Sequence, residues 1–365
     1  MAEPLKNQFD RALVTHLGTR FRSVHPTFDP VAFADTLVAA FPLLELKDRI
    51  NLIADELRAA LPDDYPTALE LVVAVAETDG TEGFTAWPLC SFVERHGLVD
   101  PPASLVAMPR LTRRFSCEFA VRPFLEHHLA LTLAAMRVWV RSSDEAVRRL
   151  PSEGTRPYLP WGPKVQALLD DPEIGIELLH ALRHDPSETV RRSVANHLND
   201  IARNHPARVV EICEHWQAEP ATDPTMIRHA LRSLVKKGNA GALAVLGFTT
   251  DPEVEVDDFA VSPERLSLGE SIQLTASLTS RAGAHQRLVV DFVIHHPAAK
   301  GTTSPKVFKW TTIELAPGQS AQLTKSRRIA TASTRRYHAG PHVVELQVAG
   351  RVLAATSFEL LDSSE

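Results

Sequence analysis

Three acidic residues and one tryptophan have side chains of types that can act at a cationic centre. They are Glu118, Glu153, Asp200 and Trp161. Carboxylates stabilise a positive charge that develops on a reacting group and position the water that attacks it. An indole ring attracts a cation by about 0.5 to 2 kcal/mol. Such chemistry needs neither a metal ion nor an organic cofactor, and we expect neither.

Glu118 also has a plain structural explanation. It stands four residues from both Arg114 and Arg122, which is the spacing of an intrahelical charge network. Taken by itself, Glu118 is better explained by that network than by catalysis. Whether Glu118 is catalytic therefore depends on the residues that surround it.

Asp200 lies on the polar stripe of a predicted helix over residues 188–201. The other members of the stripe are Arg192, Asn196 and Arg203. They lie opposite an apolar stripe formed by Val190, Val194, Leu198 and Ile201, so one face packs and the other is polar. The polar face either lines a binding groove or is an ordinary solvated surface.

An internal repeat connects the segments that carry these residues. Residues 143–149 recur as residues 186–192, with 43 positions between Val147 and Val190, and a weaker copy follows at residues 223–230. Repeats of about 40 to 47 residues with two helices each are typical of HEAT-type solenoids. Neighbouring repeats of such a scaffold should place Glu153 and Trp161 close to Asp200.

Residues 148–163 interrupt this regularity. Because proline lacks a backbone donor and clashes with the preceding turn, we expect the helix to end and a loop to begin at Pro151. That loop would carry Glu153, Arg156 and Trp161, and an insertion in one repeat is where a solenoid holds a site. Residues 110–128 are expected to form one long helical segment.

Composition narrows the class of protein. The 365 residues are 44% hydrophobic and contain three widely spaced cysteines without a CxxC pair, which is typical of a reducing compartment and disfavours a structural zinc site. The sequence lacks an apolar run of about 18 residues and an N-terminal signal pattern, so we expect a cytoplasmic protein that does not enter the membrane. The net charge is −6, but residues 1–108 carry 8 Lys and Arg against 16 Asp and Glu, whereas residues 109–250 carry 19 against 16. A local basic surface in the middle of the chain is compatible with DNA.

The hydrophobic pattern changes after residue 248. Helical spacing dominates before it, and alternation in runs such as 272–278, 289–294 and 343–348 dominates after it. About seven short strands separated by turns predict an immunoglobulin-like sandwich, although the Cys-Trp-Cys core of antibody domains is missing. We therefore expect an all-α HEAT-like repeat solenoid over residues 1–250 and an all-β immunoglobulin-like sandwich over residues 251–365.

Taken together, three segments resemble the AlkC family of DNA alkylation-repair glycosylases. The segments are residues 116–124, residues 149–161 and residues 190–200. The resemblance extends to the C-terminal domain, because one branch of that family carries an immunoglobulin-like domain. Cys117, where a small residue is expected, is a mild variation that leaves the neighbouring carboxylate in place.

The resemblance implies hydrolysis of the N-glycosidic bond of cationic N3-alkylated bases, 3-methyladenine and 3-methylcytosine, in duplex DNA without base flipping. It implies that Glu118, Glu153 and Asp200 form the catalytic centre, with Trp161 beside the lesion. Because the three segments contain no lysine, we expect a monofunctional glycosylase without a lyase step. A monomer is sufficient to bind one lesion.

The expected DNA contacts are basic or amide side chains that would hold the backbone without reading sequence. They are Arg114, Arg148, Arg149, Arg156, Arg191, Arg192 and Asn196 in the helical part, and Arg335 and Arg336 in the sandwich. Lys236 and Lys237 are also suitable cations, although ordinary surface lysines explain them better.

One rival function belongs to a different class. HEAT-type repeats mostly serve as non-catalytic scaffolds that bind DNA or a protein through a concave face. The feature that favours an enzyme is the insertion at residues 151–163, which a pure scaffold has no reason to carry.

Overall fold

A computed structural model describes residues 3–297, 303–330 and 337–362. The chain forms two compact units, one made of Met1–His205 with Ala221–Ala230 and the other of Pro206–Pro220 with Leu231–Glu365. Across the described residues, every helix is too short or too polar to cross a bilayer.

The helical part is a succession of short α-helices. Within the described residues they are α1 (Arg11–Val24), α2 (Pro30–Ala40), α3 (Leu46–Ala60), α4 (Tyr65–Ala76), α5 (Trp87–His96), α6 (Pro101–Thr112), α7 (Arg122–His127), α8 (Leu129–Trp139), α9 (Glu145–Gly154), α10 (Gln166–Asp170), α11 (Glu173–Leu182), α12 (Glu188–Ile201), α13 (Pro206–Gln217), α14 (Pro224–Ala230), α15 (Arg232–Lys236) and α16 (Ala240–Val245). The part of the chain that the structure describes also contains four 3-10 helices, at Leu5–Gln8, Phe41–Leu43, Gly83–Ala86 and Gly97–Val99.

The sequence repeat corresponds to a structural one. The Asp144 carboxylate caps α9 by accepting from the backbone N–H groups of residues 146 and 147, and the Ser187 hydroxyl caps α12 in the equivalent place. Arg148 then forms an ion pair with Asp185, two residues before the cap of α12, and Arg191 forms one with Asp223, the residue directly before α14. The first arginine of each repeated pair therefore ties one helix pair to the next.

Pro151 does not end its helix, so the expected loop boundary is wrong. The helix α9 continues to Gly154 with Pro151 inside it. A proline removes one intrahelical hydrogen bond at a cost of about 3 kcal/mol, and here every residue from Leu150 to Gly154 is buried, so packing offsets that loss. The irregular segment begins at Thr155, whose hydroxyl donates to the Pro151 carbonyl at 2.6 Å.

Residues 110–128 are also not one helix. The helix α6 ends at Thr112, α7 begins at Arg122, and residues 113–121 form turns between them. Pro123 lacks the N–H that a continuous helix would donate to the Phe119 carbonyl, and the Arg122 N–H bonds that carbonyl instead at 3.0 Å. Glu118 thus lies in a turn rather than on a helix face.

The C-terminal part consists of two sheets. The strands of the described residues are β1 (Val254–Ser262), β2 (Arg265–Leu266), β3 (Ser271–Ser280), β4 (Gln286–Pro297), β5 (Thr303–Leu315), β6 (Ser320–Arg328), β7 (Gly340–Val348) and β8 (Arg351–Leu360). One sheet has the order β1-β3-β6 and the other β2-β8-β7-β4-β5, and only the short β2–β8 pairing is parallel among them. Apolar side chains of both sheets form one core around Leu278, Phe292 and Leu346.

The turn between β7 and β8 shows how local sequence sets the register. Val348 pairs with Arg351, so Ala349 and Gly350 form a two-residue turn with φ of 49° and 80°, the conformation that such hairpins favour. Gly350 also touches Gly238: a Cβ on Gly350 would lie 2.3 Å from the Gly238 Cα. Helices α13, α15 and α16 belong to the same compact unit as the strands, whereas the boundary expected at residues 250 and 251 separates them. That boundary stays a prediction.

Candidate active site

Glu118 is the most accessible of the three acidic residues. Its side chain is 18% exposed. Its Oε2 atom accepts from the Ser116 hydroxyl at 2.8 Å and from Arg149 Nη1 at 3.2 Å. The partner of Glu118 is therefore an arginine on α9, not Arg114 or Arg122, and the expected intrahelical network is not formed.

Glu153 lies near the end of α9 and is 5% exposed. Its Oε1 accepts from Arg156 Nη1 at 2.5 Å, and its Oε2 accepts from the Ser193 hydroxyl on α12 at 2.6 Å. Arg149 Nη2 approaches the same Oε2 at 3.4 Å. A buried carboxylate with this many donors is held in one orientation.

Asp200 lies on α12 and is 2% exposed. Arg156 Nε donates to its Oδ2 at 2.8 Å, and Arg203 Nη2, which is half-exposed, lies 3.7 Å from its Oδ1. Burial raises the pKa of Asp200 above its ordinary value, because desolvation outweighs the opposing hydrogen bond and charge of Arg156.

These three carboxylates and two arginines form one connected group, which we call the carboxylate cluster: Glu118, Arg149, Glu153, Arg156 and Asp200. Arg149 joins the first two carboxylates and Arg156 joins the last two. Desolvation acts to lower the pKa of Arg156, but the charges of Glu153 and Asp200 outweigh it and raise that pKa. Removing one partner from such a buried network typically costs about 3 to 5 kcal/mol.

Membership of the cluster changes the expected roles of its arginines. Arg149 and Arg156 were expected to bind DNA phosphates. Arg156 is only 8% exposed and its Nε and Nη1 atoms face carboxylates. Arg149 bridges two carboxylates with both of its terminal nitrogens. In this structure both arginines hold acidic side chains in place.

Trp161 occupies an unusual backbone position. Its side chain is 64% exposed and its φ is 64°, a left-handed conformation that costs a residue other than glycine about 1 to 2 kcal/mol. The Gly162 N–H closes a turn on the Leu159 carbonyl at 3.1 Å, and Lys47 Nζ donates to the Trp161 carbonyl at 3.0 Å. An exposed indole on a constrained backbone is available for stacking with a ligand.

Arg122 is a site residue whose role the sequence does not predict. It is 1% exposed, and its guanidinium donates to the carbonyls of Gly154, Arg156 and Pro163 at 2.9, 2.7 and 2.9 Å. Burial lowers its pKa to about 10. Arg122 therefore clamps both ends of residues 154–163, the segment that carries Trp161. Its only sequence signal is the adjacent Pro123, which marks a helix start.

Several of the other arginines that were expected to contact DNA already have partners within the protein. Arg148 and Arg191 are engaged by Asp185 and Asp223, as described above. Arg114 donates to the Glu77 carbonyl at 3.1 Å. Arg335 and Arg336 lie outside the described residues.

On α12, Arg192 and Asn196 are the better placed of the expected contacts. The Arg192 side chain is 67% exposed, and its ion pair among the described residues is with Glu188, four positions earlier, at 3.1 Å. Surface pairs of this kind contribute little. The Asn196 amide oxygen lies 2.8 Å from His229 Nε2. These two residues belong to the same polar stripe as Asp200.

Beneath the cluster lies His197, which is 1% exposed. Desolvation, with the charge of Arg156 added to it, lowers the pKa of His197 to about 3, so the ring is neutral. The ring packs against Gly175, where a Cβ would lie 2.7 Å from it. His197 is therefore a neutral, buried imidazole on which the charge of Arg156 acts.

Two family models match the chain. The DNA alkylation repair enzyme model matches residues 115–234, which contain the whole carboxylate cluster. The model described as the C-terminal Ig-like domain of the uncharacterised protein YhaZ matches residues 255–362.

Whole-length relatives agree with these models. The chain is 32% identical over 358 residues to the uncharacterised protein YhaZ of Bacillus subtilis strain 168, covering 98% of this chain and 99% of that protein. It is 37% identical, with a TM-score of 0.92, to a solved structure of the alkylpurine DNA glycosylase AlkC of Pseudomonas fluorescens bound to DNA containing an abasic-site analogue. That match covers 99% of this chain and 100% of the other. The chain belongs to the AlkC family of DNA alkylation repair enzymes, in the branch that carries a C-terminal immunoglobulin-like domain.

Proposed function

We propose that this protein is a monofunctional DNA glycosylase that hydrolyses the N-glycosidic bond of cationic N3-alkylated bases in duplex DNA. The substrates are 3-methyladenine and 3-methylcytosine, and the base is not flipped into a pocket. The products are a free alkylated base and an abasic site. The observation that carries the proposal is the convergence of Glu153 and Asp200, from α9 and α12, on the single guanidinium of Arg156.

The charge of the substrate explains why carboxylates suffice. An N3-alkylated base is positively charged and leaves as a neutral molecule, so its departure needs no general acid. What remains is to stabilise an oxocarbenium-like sugar and to position water for attack at its anomeric carbon. Carboxylates do both, and the arginines of the cluster hold the buried carboxylates in a fixed orientation.

Glu118 and Trp161 form the accessible part of the proposed site. Glu118 keeps a partly exposed side chain, so it can meet a substrate without rearrangement of the buried cluster. The indole of Trp161 is exposed and attracts a cationic base more strongly than a neutral one. Selectivity for charged lesions then follows from electrostatics, without a pocket that encloses the base.

A site without a pocket that encloses the base is suited to duplex DNA. Arg192, Asn196 and Arg114 are proposed to hold phosphates without reading the sequence. The AlkC relative, 37% identical over nearly the whole chain, is an alkylpurine DNA glycosylase and was solved on DNA. We propose that this chain shares both the glycosylase activity and the binding to DNA.

Chromatography of released bases tests the function. Duplex DNA treated with a simple methylating agent is incubated with the protein, and free 3-methyladenine, 3-methylcytosine and 7-methylguanine are quantified against a no-protein control. We expect release of the two N3-methylated bases. A protein that binds the duplex but releases no base would be a scaffold, and release confined to 7-methylguanine would contradict the proposed substrate class.

A further inference from the structure

Lys47 connects the two segments that hold the accessible site residues. It is the second residue of α3, and its Nζ donates to the carbonyl of Trp161, 114 positions later in the chain, at 3.0 Å. The same ammonium lies over the ring of Phe119, 4.4 Å from its centroid. Phe119 is the neighbour of Glu118, so one cation touches both the turn of Glu118 and the backbone of Trp161.

Lys47 contacts Trp161 at a position where the backbone conformation is unfavourable. Trp161 adopts a φ of 64°, which a tryptophan rarely adopts unless its surroundings require it. A charged donor on the Trp161 carbonyl fixes the peptide plane that follows the indole. Lys47 therefore favours one orientation of Trp161 over the alternatives available to a free turn.

The contact with Phe119 places the cation on a rigid surface. Phe119 is 6% exposed and stacks on Trp87, with an interplanar angle of 14° and 5.9 Å between centroids. The ammonium is thus held by a carbonyl on one side and by a packed ring on another. These contacts hold the half-buried Lys47 side chain against the protein, whereas a lysine that binds DNA phosphate extends into solvent.

We propose that Lys47 is a positioning residue of the active site, which sets the orientation of Trp161 relative to Glu118 and thereby the rate of base release. This inference rests on the proposed function. Arg122 clamps the ends of the same segment, but it is fully buried and its replacement endangers folding. Lys47 is half-buried and is the better residue to change.

The first experiment compares Lys47→Met with wild type in single-turnover release of 3-methyladenine from methylated duplex. We expect a loss of about tenfold or more, because misplacing a group that contacts the substrate is costly. Lys47→Arg should restore part of the rate, since it also donates to the carbonyl. Lys6→Met, which removes a surface lysine paired with Glu45, is the matched control and should keep the wild-type rate.

Binding to undamaged duplex distinguishes positioning from phosphate contact. If Lys47 positions Trp161, Lys47→Met leaves both the affinity and its salt dependence unchanged. A phosphate contact would instead reduce the salt slope by about one. That reduction would overturn the inference.

A double-mutant cycle provides the decisive result. Because Lys47 acts through Trp161, Lys47→Met added to Trp161→Ala should slow release no further than Trp161→Ala alone. Additive losses would overturn the inference. If Trp161→Ala is slow and Lys47→Met is normal, the role of Lys47 fails while the proposed function stands. If Trp161→Ala has the wild-type rate, the proposed role of Trp161 fails and the inference fails with it.

Discussion

Glu153 and Asp200 are joined through one buried guanidinium. Arg156 donates to Glu153 from Nη1 at 2.5 Å and to Asp200 from Nε at 2.8 Å. The two carboxylates come from different helices and different copies of the sequence repeat, so their meeting is a property of the tertiary structure. Arg156 holds the two carboxylates in this arrangement.

Replacing Arg156 should change the pH dependence of base release. Burial raises the pKa of Asp200, and Arg156 opposes that rise. In Arg156→Gln the pKa of Asp200 therefore goes higher, and the limb of the rate profile that rises with pH moves to higher pH. We expect the loss of single-turnover rate to be larger at pH 6 than at pH 8.

The control for this profile is Arg192→Gln, which removes an exposed arginine from the same helix as Asp200. Its profile should retain the wild-type shape, even where DNA binding is weaker. An Arg156→Gln profile that coincides with wild type after scaling would show that Arg156 does not set the ionisation of Asp200.

His197 should make the fold sensitive to acid. Its pKa is lowered from 6.5 to about 3 in the folded protein, first by desolvation. The unfolded chain therefore takes up a proton before the folded one does. The contribution of neutral His197 to the free energy of unfolding is fully present above about pH 6.5. It falls by about 1.4 kcal/mol per pH unit between about pH 6.5 and about pH 3.

Urea unfolding of the full chain at pH 7, 6 and 5 measures this effect. His197→Gln should reduce the dependence of the unfolding free energy on pH, whatever it does to the stability at pH 7. His215→Gln, at a side chain that is 75% exposed, should leave the dependence at its wild-type value. Equal slopes for wild type and His197→Gln would contradict the assignment.

Asp291 should lower the stability of the sandwich at neutral pH. It is 2% exposed on β4, and burial raises its pKa to about 6 although Lys309 and Lys236 oppose the rise. A raised carboxyl pKa contributes stability that is complete below about pH 3.8 and is lost as the pH rises to about 6. Ionisation then costs about 3 kcal/mol at pH 7.

Asp291→Asn removes that cost, so we expect thermal unfolding at pH 7 to shift to higher temperature and the shift to shrink at pH 4. The amide also offers a donor to Oε1 of Gln347, the β7 residue opposite Asp291, which is buried without a hydrogen-bond partner among the described residues. Asp258→Asn, at an exposed position on β1, should have little effect at either pH. A destabilising Asp291→Asn would show that the carboxylate has a partner it needs.

Local sequence predicts the elements better than it predicts the contacts of their side chains. The caps at Asp144 and Ser187 and the turn at Ala349 and Gly350 depend on neighbours in the chain. The two copies of the predicted sequence repeat, residues 143–149 and 186–192, each begin a helix that is capped at the equivalent residue. The helix through Pro151 does not follow from such rules, because burial of residues from α9 against other helices outweighs the proline.

In the candidate site, too, the side-chain contacts depend on the tertiary structure and not on local sequence. Arg148 and Arg149 are adjacent and chemically identical, yet Arg148 binds Asp185 and Arg149 binds Glu118. Only the direction in which each side chain leaves α9 separates them. Lys47 lies in the acidic N-terminal third of the chain, and nothing in its local sequence indicates a contact with Trp161.

The most direct test of the carboxylate mechanism is the single-turnover rate of 3-methyladenine release by Asp200→Asn, measured beside its affinity for the duplex. The substitution keeps the shape of the side chain and removes its charge. We expect release to slow by about 100-fold or more while the affinity for undamaged duplex stays at the wild-type value. Release by Asp200→Asn at the wild-type rate would contradict the account.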